Sequence, residues 1–137
     1  TSAADKAPIF SGSGTATTIT IKSGTWTPTI SAGVNIDSTS NVVGGYQQIG
    51  NQVTCWFALT IDPTTASSTT TSFEGSLPVA SNFSNSRNCS GAASFEGSPG
   101  AAGIVTDNAT NDTFFVKFYA TSTSAAELRG TFGYTVI

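Results

Sequence analysis

The sequence contains no histidine and no methionine, and only 9% of its 137 residues are charged. Without histidine, Ser-His-Asp and Cys-His catalysis are excluded and the commonest metal ligand is missing. Without methionine, the chain is expected either to have lost an initiator or to be a piece of a larger polypeptide. The charged fraction lies far below the quarter or so found in ordinary soluble domains. Hydroxyls carry the solubility instead, with Ser and Thr making up roughly three residues in ten. The formal charge is −3, and the basic residues Lys6, Lys22, Arg87, Lys117 and Arg129 are scattered. They form no stripe for a phosphate backbone, so no nucleic-acid partner is expected. No apolar run approaches the roughly 18 residues of a membrane span, and no membrane insertion is expected.

Helical periodicity is absent as well, and clusters of Gly, Pro, Asn and Ser interrupt the chain every few residues. What remains is period-two alternation, which predicts an all-β, antiparallel domain with one core. The clearest strand runs from Gln52 to Ile61, where Val53, Cys55, Phe57, Leu59 and Ile61 alternate with Thr54, Trp56, Ala58 and Thr60. Thr113 to Thr121 places Phe114, Val116, Phe118 and Ala120 on one face and Phe115, Lys117 and Tyr119 on the other. Leu128 to Ile137 puts Leu128, Phe132, Tyr134 and Val136 on a common side. Weaker strands are expected at Ala16–Lys22, Thr25–Ser31, Tyr46–Ile49, Thr71–Leu77, Arg87–Phe95 and Ala102–Thr106. About eight or nine strands of this length point to a β-sandwich of jelly-roll type. Its core is expected to hold Val53, Cys55, Phe57, Leu59, Phe114, Val116, Phe118, Phe132, Tyr134 and Val136.

Two stretches, Asp62–Ser72 and Ser81–Asn88, read as polar loops, and Asp62-Pro63 ends its strand because proline removes a ladder donor. Ile49-Gly50-Asn51 predicts a tight hairpin, with Gly50 or Asn51 at positive φ. The SGSGT run, Ser11 to Thr15, reads as a flexible joint. Residues 1–15 are therefore expected to form an arm or linker, and residues 16–137 the β-sandwich head.

Within the head, GTWTPTI (Gly24 to Ile30) is followed about fifteen residues later by GGYQQIGNQVTCWFALTI, and the chain closes on LRGTFGYTV. This order resembles a pattern of tailed-bacteriophage tail fibres and related virion proteins: Gly-x-Trp-x-Pro, then Tyr-x-x-Ile-Gly-Asn-x-Val, then a final strand. The likeness covers most of residues 23–61 and the last ten, and is thin between 62 and 127. It implies a β-sandwich head displayed on a virion surface, usually as a homotrimer, with no catalytic residues attached to the shared positions.

Several residues admit a functional reading beside a packing one. Trp26 and Pro28 fit an edge strand, Pro28 blunting the edge and Trp26 covering the open end of the core; the other use of Trp26 is to stack on a ligand. Trp56 faces away from the core, so it is either buried against another sheet or subunit or exposed for a ligand. Together with Asn82, Phe83, Asn85 and Arg87 of the second polar loop, the two tryptophans are the candidate ligand-binding residues. Trp56, Ala58, Phe115 and Tyr119 are the candidate trimer interface. Glu74 and Glu96 repeat in FEGS, and two carboxylates invite comparison with a glycosidase pair; each precedes a Gly-Ser turn, which favours a structural role. The DNATND run, with Asp107, Asn108, Asn111 and Asp112, is rich in oxygen but lacks the spacing of a calcium loop and reads as a turn. Of the sequons at Asn82, Asn88, Asn108 and Asn111, roughly two or three are expected by chance in a chain so rich in Ser and Thr, and they carry little meaning. No cofactor and no metal are expected. Cys55 and Cys89 can pair, but a phage protein assembles in reducing cytosol, which favours free buried thiols.

Three functions follow. The first is a receptor-binding head that recognises a host-surface glycan or protein through its loops. The second is a capsid or tail decoration protein gripping the particle through residues 1–10. The third, a free-standing carbohydrate-binding module or hydrolase, fits less well.

Overall fold

The structure, a computed structural model, describes residues 6–10, 16–66, 69–85, 87–96 and 102–137. They form ten strands: β1 (Lys6–Phe10), β2 (Ala16–Trp26), β3 (Ile30–Val34), β4 (Ile36–Ile49), β5 (Gln52–Pro63), β6 (Thr69–Gly75), β7 (Cys89–Phe95), β8 (Gly103–Asn108), β9 (Thr113–Ala120) and β10 (Ala126–Thr135). Every pairing is antiparallel, in the order β1-β2-β4-β5-β10-β7-β8-β9-β6-β3. The antiparallel all-β class is therefore as expected. The strands are joined in one hydrogen-bonded ladder, however, where two stacked sheets were anticipated. β1 pairs only with the first half of β2, and the other nine strands form a single curled sheet.

Curling follows from which rings meet. Phe57 on β5 and Phe73 on β6 stand five strands apart in the ladder, yet their rings lie 6.4 Å apart, edge to face. Phe57 also approaches Phe114 of β9 at 5.1 Å, and Phe114 stacks on Phe132 of β10 at 4.7 Å. The sheet has rolled until its inner face meets itself. The residues that alternate inward on β5, β9 and β10 form the core, and nine of the ten expected core residues are buried; Val136 is only half-buried.

The described residues of Ser81–Asn88 form no strand, but Asp62–Ser72 is strand at both ends: β5 continues to Pro63 and β6 begins at Thr69. Lys6–Phe10, assigned to an arm, pairs as β1 with Ala16–Thr20. The joint at 11–15 and residues 1–5 lie outside the described residues. The hairpin between β4 and β5 turns on Gly50 and Asn51, with Gly50 at φ 62°, the conformation glycine supplies without steric cost.

The expected strand Thr25–Ser31 is instead a crossing. β2 stops at Trp26, residues 27–29 pass over the end of the core, and β3 joins β6 at the far edge of the ladder. Ser76 pins that crossing. Its carbonyl accepts the Trp26 indole N–H at 3.0 Å, its hydroxyl accepts the Thr29 N–H at 2.9 Å, and its own N–H donates to Thr29 O at 3.1 Å. Pro28, which has no N–H to satisfy, sits buried in this passage, outside any ladder.

Tyr134 fastens the segment after β6 in a similar way. Its hydroxyl donates to Val79 O at 2.7 Å and accepts the Val79 N–H at 3.1 Å, while burial raises its pKa well above the ordinary tyrosine value. Tyr134→Phe keeps the ring and removes both bonds. Chemical denaturation is expected to show a loss of about 1 kcal/mol; an unchanged midpoint would mean that water replaces the hydroxyl without cost.

Cys55 and Cys89 are free and buried. β10 lies between them, Cys55 pairing with Phe132 and Cys89 with Tyr134. Two strand spacings put their Cα atoms roughly 9.5 Å apart or more, beyond the roughly 7 Å limit for a disulfide. Burial pushes both thiols up to about 12, so neither is a ready nucleophile.

Candidate recognition groove

The inward alternation of Phe57, Leu128, Gly130 and Ala93 turns their neighbours on β5, β10 and β7 outward. In register, Trp56 faces Thr131 and Ala92, and the next outward row is Ala58, Arg129 and Ser94. A large indole thus stands beside small side chains. The difference in size leaves a trough of about 760 Å³, within the range of small-molecule sites, lined by Trp56, Ala58, Ala92, Ser94, Arg129 and Thr131 among others. Ile104 of β8 continues the row beside Ala92 and is 56% exposed.

The position of Trp56 is fixed by the strand on its other side. Gly45 of β4 pairs with Trp56, and a Cβ there would lie 2.4 Å from the indole Nε1. On the opposite face of β4, a Cβ at Gly44 would lie 2.4 Å from the Trp26 ring. The Gly44-Gly45 pair therefore seats two indoles back to back, Trp26 inward on the core and Trp56 outward. Trp56 is 50% exposed. The expectation that another part of the same chain buries it is corrected among the described residues: the indole is half-exposed, and its register partners are Gly45 and Thr131.

At the polar end of the trough, Arg129 bridges two carboxylates. Its Nη2 donates to Glu96 Oε2 at 2.8 Å and its Nε donates to Glu127 Oε1. The Glu127 hydrogen bond, followed by the charges of both carboxylates, raises the Arg129 pKa further and keeps it cationic. Glu96 is held in place by its backbone N–H, which donates to Glu127 O at 2.9 Å.

No family model, curated protein or solved structure matches this chain.

Of the six candidate ligand-binding residues, only Trp56 lines the trough. Trp26 packs edge-on against Phe114 and Phe132 at 6.0 and 6.1 Å and spends its N–H on Ser76, which supports its packing role. Phe83 is buried against Tyr134, rings 5.8 Å apart, with its N–H donating to Asp112 Oδ1; a surface role for it is corrected. Asn82, Asn85 and Arg87 are exposed. The Asn85 side chain accepts the Arg87 N–H, and the Asn82 N–H donates to Ile137 O. That loop packs beyond Thr135, roughly 13 Å along β10 from Thr131, so these residues and Trp56 do not form one site.

The two FEGS glutamates also stand apart. Glu74 is on β6 and Glu96 follows β7, with β8 and β9 between them. Glu74 is buried and accepts three hydrogen bonds, from Asn108 Nδ2 (2.7 Å), Thr113 Oγ1 (2.8 Å) and Asn111 Nδ2 (3.0 Å). Burial alone would raise its pKa, but the three donors outweigh it and the net shift is downward. The DNATND run ends β8 with Asp107 and Asn108 and turns over residues 109–112, and its Asn108 and Asn111 amides clamp Glu74. Asp107 Oδ1 meanwhile accepts the Cys89 N–H at 3.3 Å. Among the described residues no cluster of three or more His, Cys, Asp or Glu is placed to hold a metal.

The expected trimer face does not exist as one patch. Phe57 and Phe114 meet inside the core, so their neighbours Trp56 and Phe115 point away from each other on opposite sides of the molecule. Tyr119 lies on the Phe115 side and is 47% exposed.

Proposed function

We propose that this chain is a non-catalytic recognition domain on the surface of a virus particle, the receptor-binding head of a tailed-phage fibre. The observation that carries the reading is Trp56. It is a half-exposed indole, locked over Gly45, beside a trough with a charged rim. Leaving so large an apolar side chain in water has a cost that a partner would remove. The class of particle rests on the resemblance of GTWTPTI and GGYQQIGNQVTCWFALTI to tail-fibre domains. A binding role in preference to catalysis is supported by the occupation of the acidic groups: Glu74 holds three donors and Glu96 holds Arg129. The proposal keeps the trimer that the resemblance implies, but not an interface shared by Trp56, Ala58, Phe115 and Tyr119.

The test is adsorption of the fluorescently labelled chain to a panel of bacterial strains. Retention on a subset of strains is expected, with Trp56→Ala reducing it by roughly tenfold or more, equivalent to about 1.4 kcal/mol. Retention that ignores Trp56→Ala would remove the groove from the proposal. Binding to assembled particles in place of cells would favour a decoration role.

A further inference from the structure

Resting on the reading of the trough as the recognition surface, we propose that its ligand is a neutral saccharide. A sugar ring lies against the Trp56 indole and its hydroxyls meet the Arg129–Glu127–Glu96 rim. The first reason is shape. Trp56 offers a rigid apolar face, because Gly45 fixes the indole, and the floor beside it is Ala58, Ala92 and Thr131, small enough for a flat ring to approach. A second depression of about 460 Å³ adjoins the trough, with Trp56 and Thr131 lining both and Gly45 and Thr54 on its far side. A short oligosaccharide running across the strands can therefore straddle the indole.

The second reason is hydrogen-bond character. A guanidinium has five N–H donors and a carboxylate about four acceptor sites. Arg129 uses one donor on each glutamate, which leaves donors and acceptors interleaved along one edge of the trough. A sugar hydroxyl both donates and accepts, so neighbouring hydroxyls match such an edge. A ligand offering a single polarity would leave half of it unpaired.

The third reason is charge. One guanidinium and two carboxylates give the rim a net negative charge, in a chain whose overall charge is −3. An anionic sugar would be repelled by the two glutamates that flank Arg129. A cationic ligand would compete with Arg129 for carboxylates that already accept its hydrogen bonds.

The experiment is a screen of the chain against neutral and acidic oligosaccharides, followed by titration of the best neutral binder by isothermal calorimetry, whose signal does not depend on Trp56. Neutral oligosaccharides are expected to bind and uronate-rich or sialylated ones to be rejected. Trp56→Ala should weaken binding roughly tenfold or more, Trp56→Phe less, and Arg129→Ala several-fold. Both side chains are exposed, and circular dichroism should confirm an unchanged fold. Binding confined to acidic glycans, or neutral binding untouched by Trp56→Ala, overturns the proposal. If no saccharide binds while adsorption to cells still depends on Trp56, the saccharide is wrong and the recognition surface stands. If adsorption is also indifferent to Trp56, both fail.

Discussion

Phe57→Ala is expected to lower the unfolding free energy by about 3–5 kcal/mol in a denaturant titration. The ring is fully buried at the centre of the core and touches Phe73, Phe114 and Phe132, so its removal leaves a cavity between strands that cannot move together without unrolling the sheet. It also covers Gly130, where a Cβ would lie 2.4 Å from the Phe57 ring. Gly130→Ala alone should therefore destabilise, by about 1–3 kcal/mol from overpacking. The two changes together should cost less than their sum, because the new methyl enters space that Phe57 has vacated. A loss below about 1 kcal/mol for Phe57→Ala, or strict additivity, would mean that the sheet collapses around the site.

Glu74→Gln should cost about 1–3 kcal/mol at neutral pH, since it turns an amide nitrogen toward Asn108, Asn111 or Thr113, all of which already donate. Its pH dependence has a definite sign. The folded-state pKa of Glu74 is lowered from its ordinary value of 4.5, so its ionised form is favoured by folding. The contribution is complete above the unfolded value and disappears as the pH falls through the lower folded one. The stability difference between parent and Glu74→Gln should narrow as acid is added below about pH 4.5. A constant gap down to pH 2 would show that the Glu74 charge does not contribute.

Period-two alternation located β5, β9 and β10 because each buries one face continuously. The same logic overlooked β3 and the first half of β4. Residues 30–43 are mostly Ser, Thr, Asn and Val with little burial, and bulges shift the register between Ser31 and Val34 and between Ser40 and Val43. Ala32, Asn35 and Asn41 adopt positive φ there, which no alternation rule anticipates. Asn35 carries no local signal of its role, although its side chain bonds Thr65 and Thr71 and holds the loop that leads into β6. In the groove, Trp56 was legible as an aromatic on the outward face of β5. Arg129 and Thr131 were legible as outward residues of the last strand, whereas Glu127 lies before Leu128, where that strand was expected to begin. Their meeting was not, because it depends on β10 entering the ladder between β5 and β7, a pairing that local pattern does not encode.

That placement of β10 also sets the order of events during synthesis. β5 and β7 are made long before the strand that joins them, and each must wait with one edge unpaired until Ala126–Thr135 has left the ribosome. Phe132, which stacks on Phe114 and closes the aromatic core, arrives on the same strand. The core therefore closes only once this segment has been translated, and non-local pairing of this kind is slow. During that interval the open edges of β5 and β7 are the parts most exposed to pairing with another chain.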